Sequence, residues 1–178
     1  MNIFVLDRNP KIAASMMCDK HVVKMILESA QMLSAVLDWQ YDYINFSTGE
    51  PGDGQVLTQF GLPGYPKAHA KHPCTLWARE SKLNAMWLVE HMRALCFEYT
   101  ARYGKFHKQD TLPMIYEAQL RYCRFPELDQ TEFVQAITNK DLHRDDPVEA
   151  YREYYIQEKA YFAKWRSGLI PEWFSNAA

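Results

Sequence analysis

From Pro10 to about Leu37 the chain carries no glycine and no further proline, and it supplies alanine, methionine, leucine and isoleucine instead. A stretch of that length and composition has one economical conformation, a long helix. Asn9-Pro10 marks its start: asparagine is a strong N-cap, and proline fits the first helical position, where its missing N–H is not needed. Apolar residues lie on almost every side, so the helix is predicted to be buried on most of its surface. Residues 47–73 are the opposite case, holding five of the seven glycines and four of the nine prolines. No continuous helix survives that composition, and a loop of this length in a compact domain is usually a lid or binding loop.

The remaining punctuation predicts more helices. One should run from Pro73 to Tyr103, with Gly104 at the residue after its end. Shorter ones are expected over Pro113–Cys123 and from Asp129 with Glu132. A last one should run from Asp146-Pro147, with Glu149 in its first turn, to Trp165. Residues 2–6 are predicted to be a buried extended segment or small strand, and the LIPEWF tail to fold back on the core. Strand signals are otherwise few. The expected fold is mainly α: an irregular single-domain helical bundle over 1–178, around two long helices with a long Gly/Pro-rich loop.

Chemistry is sought first on the long helix. His21, Lys24, Glu28 and Gln31 recur at helical spacing and fall on one face, with Asp19 and Lys20 beside them. The stripe is either simply the solvent face or the lining of a cleft, and a solvent face usually repeats interchangeable Glu and Lys. One each of His, Lys, Glu and Gln better suits a cleft in which an acid, an imidazole and an ammonium exchange protons. A second possibility is a metal. Cys18 with His21, and His69, His72 and Cys74, are zinc ligand types at usable spacings, though they form no zinc signature. A third is nucleic-acid binding by Lys67, Lys71, Arg79, Lys82, Arg102, Lys105, His107 and Lys108, with Tyr65, Trp77, Tyr99 and Tyr103 as stacking surfaces. From the second long helix and its approach, His72, Trp77, Arg79 and Asn84 are the binding candidates. The aromatic stripe Tyr151, Tyr155, Phe162 and Trp165 reads as core.

The formal net charge is −2, so any grip on phosphates must come from a local basic face. The four cysteines form no C-x-x-C pair and read as free thiols of a reducing compartment. Neither a signal peptide nor a membrane span is legible, which places the expected protein in the cytoplasm. The sequence holds no dinucleotide, P-loop, nucleophile-elbow or zincin motif.

The blocks NIFVLDRNP, CDKHVVKMILESAQML, HPCTLWARES and AYREYYIQEKAYFAKW resemble a family of small bacteriophage-type proteins. More loosely, the layout is similar to the bacteriophage pyrimidine-dimer DNA glycosylases, small helical proteins with a very short N-terminal segment and a first helix bearing a catalytic glutamate. HPCTLWARESKLNAMWLVEHMRALCFEYTARYG resembles their second helix. That likeness implies attack on a sugar C1′ by the N-terminal α-amine, with Glu28 in the place of the family's glutamate. The family exposes a threonine by methionine removal. Asn2 stands there in this chain, and its bulk favours retention of Met1. The reading that follows is a glycosylase-like enzyme, with or without lyase activity, acting on a damaged or modified pyrimidine in DNA. Its catalytic candidates are Glu28, His21, Lys24 and Asn2, its partner is DNA or a nucleotide, and it needs no cofactor. The alternative is a non-catalytic phage-type module that binds a nucleotide or a protein.

Overall fold

The computed structural model describes residues 1–44, 64–65 and 69–177. Among them all regular structure is helical. The predicted 47–73 loop, with Lys67, lies for the most part outside the described residues.

The expected helix from Pro10 forms as two. α1 spans Pro10–Met16 and α2 spans Asp19–Ile44. Asn9 caps α1 as its residue type dictates, its side chain accepting from the backbone N–H groups of Lys11 and Ile12. The break at Met17, whose backbone is extended, has no local signal and is held from a distance. Arg102 is buried and donates to the carbonyls of Ser15 (3.0 Å) and Met17 (2.7 Å). Trp165 Nε1 donates to the carbonyl of Met16 at 3.0 Å. The carbonyls orphaned by stopping a helix therefore have partners. Asp19, at the start of α2, accepts from Arg102 (3.2 Å) and from the backbone N–H of Arg166 (2.9 Å).

The second long helix is also divided. α3 covers Pro73–Glu80 and α4 covers Lys82–Tyr103. Between them Ser81 is extended, and its hydroxyl accepts from Asn84 N–H to cap α4. Gly104 ends α4 in the left-handed region, φ 67°, as predicted. α2 and α4 pack against each other and form the centre of the bundle, with α1 on α4, and α3 and α5 (Leu112–Leu120) against both.

Two other expectations change. The segment expected to turn helical near Asp129 is non-helical. Asn84 pins it, bonding the Thr131 hydroxyl at 2.7 Å and the Thr131 N–H at 3.0 Å. The last long helix is shorter than predicted. α6, Pro147–Tyr154, is capped by Asp146 as expected, but it widens into a π turn over Tyr155–Lys159 and ends there. The chain is then drawn across the α1–α2 break, with the Lys164 carbonyl accepting from Asp19 N–H at 2.8 Å. Residues 2–6 are buried without forming a strand, and the segment turns at Phe4, whose carbonyl accepts from Leu6 N–H at 2.8 Å. The tail does fold back: α7 (Glu172–Ser175) places Trp173 and Phe174 against the core.

Candidate active site

The N-terminal segment lies against the first half of α2, and residues around 136–138 and 154–162 face them. A cavity of about 530 Å³ lies between them, lined by Met1, Asn2, Phe4, Lys20, His21, Lys24, Met25, Glu28, His72, Ala136, Thr138, Tyr154, Lys159 and Phe162. That volume is on the scale of small-ligand pockets.

The polar stripe of α2 faces this cavity. His21 and Glu28 are only 7% and 8% exposed, whereas the Lys24 side chain is 66% exposed at the rim. Glu28 is the centre of a short network. Its Oε2 accepts from the Asn2 backbone N–H at 3.1 Å and lies 3.7 Å from the Met1 α-amine. Its Oε1 lies 3.0 Å from Lys24 Nζ, one helical turn away. A carboxylate shared by a backbone amide, an ammonium and an α-amine is fixed in direction and close to a potential nucleophile.

The amine is held by its neighbours. The Asn2 side chain accepts from Phe4 N–H at 3.1 Å and donates to the Ala136 carbonyl at 2.9 Å. Phe4 is bent into the left-handed region, φ 40°, a conformation that costs a non-glycine residue on the order of 1 kcal/mol or more. Its ring stacks on His21, centroids 4.2 Å apart. On the other side His21 Nδ1 is hydrogen-bonded to the Tyr155 hydroxyl. Burial first, and then the positive charges of Lys159, Lys24 and Lys20, push the His21 pKa down to about 3. The imidazole is therefore neutral at physiological pH. His72 accepts from Cys74 N–H at 3.2 Å. Its pKa is lowered by burial, then by the Met1 amine and His69, with Glu28 opposing them.

Residues 1–112 match the sequence profile of the family described as pyrimidine dimer DNA glycosylase. The chain belongs to that family. No curated protein and no solved structure matches it. Membership in the pyrimidine dimer DNA glycosylase family supports a glycosylase-like function, and the cavity has a rim that suits DNA. Lys20, Lys24 and Lys159 surround an opening whose described carboxylate is Glu28. Lys20 Nζ sits 4.8 Å above the Phe162 ring and Lys159 Nζ 4.2 Å above Tyr154. This is a local basic face on a chain of net charge −2.

The structure sorts the other residues singled out in the sequence. Asn2, Lys20, His21, Lys24, Glu28 and His72 converge on the cavity. Gln31 lies a turn beyond it, half-buried, and Asp19 is spent on Arg102 and Arg166. Trp77 offers no stacking face: it is buried edge-on to Trp87. Asn84 uses its amide on the Trp77 carbonyl and Thr131, and the Arg79 guanidinium lies over Trp39. Tyr65 is tied to Ser34 through its backbone and to Gln109 through its hydroxyl. The zinc ligand types do not assemble. Among the described residues no group of three or more His, Cys, Asp or Glu is disposed to hold a metal. Cys18 and Cys74 are buried thiols, and burial pushes Cys74 up to about 12. No described helix is long and apolar enough to cross a membrane.

Sequence reasoning missed Phe4, Tyr154, Lys159 and Phe162 as lining residues. Phe4 looks like any apolar residue of a buried segment. The other three come from the segment predicted to be one helix with an aromatic stripe in the core, and Tyr155 of that stripe is indeed fully buried.

Proposed function

We propose that this chain removes a damaged pyrimidine from DNA by attack of its α-amine on the sugar C1′, with Glu28 as proton acceptor. The observation that carries this reading is the 3.7 Å separation of the Met1 amine and Glu28 Oε2 inside a lysine-rimmed cavity. Catalytic contacts of this kind commonly tighten when substrate binds.

The amine loses a proton to the carboxylate, and its lone pair forms the N–C1′ bond. The C1′–N bond to the base breaks, and its electron pair departs with the base, which takes up a proton. The sugar ring then opens to leave an imine between C1′ and the chain. Lys24 orients Glu28 through their 3.0 Å contact. Lys20 and Lys159 are placed to meet phosphates, and Phe4, Tyr154 and Phe162 offer faces and edges to a flipped base. If Met1 is removed, the new amine is the Asn2 nitrogen, already 3.1 Å from Glu28, so either terminus serves.

Borohydride trapping on a duplex with a single pyrimidine dimer tests the reading. It predicts a covalent protein–DNA adduct that is lost when the terminal amine is blocked, with intact mass identifying the attached residue. Base release without any adduct would replace the amine by a Glu28-activated water. Absence of both base release and adduct would end the glycosylase reading.

A further inference from the structure

The lysine rim and Glu28 account for the charges around the cavity, but not for the imidazole. His21 is sandwiched: Phe4 stacks on one face, and Tyr155 and Phe162 meet it edge-on at 5.1 and 5.4 Å. So immobilised a ring is built to point one nitrogen in one direction. Nδ1 points away from the cavity, to the Tyr155 hydroxyl. Among the described residues Nε2 has no protein partner, and His21 lines the cavity.

The proton position follows from Tyr155. Its hydroxyl is fully buried, and its ionisation is pushed well above the ordinary phenol range by burial and by Cys18. It therefore keeps its hydrogen and must donate it. Two acceptors are near, the imidazole Nδ1 and the Cys18 sulfur, and a thiol sulfur is a weak acceptor. An unpaired buried hydroxyl is costly, so the O–H goes to Nδ1. A neutral imidazole that accepts at Nδ1 carries its hydrogen on Nε2.

We infer that His21 presents its Nε2–H to a carbonyl oxygen of the bound pyrimidine, and that Tyr155 is the positioning residue that keeps the hydrogen on that nitrogen. This rests on the glycosylase reading above. As the C1′–N bond breaks, negative charge spreads onto the base oxygens, and a fixed donor there stabilises the departing base. A phosphate oxygen is also an acceptor, but Lys20, Lys24 and Lys159 already ring the opening with positive charge. Exposed rim lysines can meet phosphates outside, whereas the buried His21 donor meets only a group that enters the cavity, as a flipped base does. The groups facing the imidazole are Lys20, Lys24 and Glu28 along α2, and Tyr155 and Lys159 from the π turn. The three lysines all oppose its protonation, so the donor does not change over the physiological range.

The test joins a spectrum to kinetics. Nitrogen–proton correlation NMR on histidine-labelled protein, with the His21 signals assigned by their loss in His21→Gln, is expected to show the hydrogen on Nε2 from pH 5 to pH 8. Tyr155→Phe should move it wholly or partly to Nδ1. A wild-type Nδ1–H, or an imidazolium forming near pH 6, would overturn the proposal without touching the glycosylase reading. In kinetics, His21→Ala should lower base release from dimer DNA by about 10²–10³-fold, the usual cost of a donor at a developing anion. His21→Gln, which retains an N–H, should recover much of that rate. Affinity of His21→Ala for a duplex with an abasic site should match wild type, because no base is there to bind. An equal loss on abasic DNA assigns the donor to phosphate and sinks the carbonyl contact. If Tyr155→Phe does not fold, the Gln/Ala contrast decides. A wild-type protein that releases no base removes the acceptor together with the reading it rests on.

Discussion

The two walls of the cavity come from different parts of the chain. Met1, Asn2, Phe4, His72 and the α2 residues belong to the segment that carries the family match. Ala136, Thr138, Tyr154, Lys159 and Phe162 lie beyond it. The first wall holds the carboxylate, the α-amine and two of the rim lysines. The second is largely aromatic and apolar, with a single lysine. On the proposed reading, reaction chemistry and substrate fit are thus divided, and the cavity needs residues beyond the matched segment to complete its lining.

That division can be broken at several points. Glu28→Gln, on the first wall, should cut the turnover rate by about 10²–10⁴-fold with DNA affinity little changed. Single-turnover base release measures it, and a loss of affinity alone would move Glu28 out of the chemistry. Acid should expose the seam next. His21, and His91 stacked on Trp87 in the core, are both held near a pKa of about 3 by burial. The unfolded chain protonates them below about pH 6.5 and the native state resists, so stability is complete above that pH. It falls as pH drops toward 3, by at most about 1.4 kcal/mol per pH unit for each histidine. Urea unfolding at pH 7, 5 and 4 follows this, and His21→Gln should reduce the slope by roughly half. Asn2→Ala removes the bond from the first wall to Ala136 on the second and should cost about 1–3 kcal/mol, read as a lower unfolding midpoint. Lys159→Ala should be mildest, with binding weakened, the salt dependence of affinity reduced by about one unit, and turnover unchanged. A collapse of turnover there would show that the second wall also does chemistry.

Legibility in the sequence followed the range of the interactions. Asn9-Pro10, Asp146-Pro147 and Gly104 act through hydrogen bonds to near neighbours, and all three sit where local rules put them. Ser81 acts locally too, and a serine three residues before Asn84 was a signal that could have been read as a cap. The break at Met17 could not, because it depends on Arg102 and Trp165, which the sequence places far away. The site divided in the same way. The stripe His21, Lys24 and Glu28 is a helical period and was visible. Its direction toward a cavity depends on residues 136–162 covering it. Trp77 and Asn84 misled because a residue type that suits a ligand equally suits a core contact.

Asn2 reaches across the whole fold to Ala136, 134 positions along the chain. During synthesis the amino end leaves the ribosome first, yet part of its docking site is among the later residues to be made. The segment proposed to react with DNA is therefore made before one of the groups that hold it in the folded protein. On the proposed reading, a chain not yet extended to Ala136 lacks one of the bonds that aim its nucleophile.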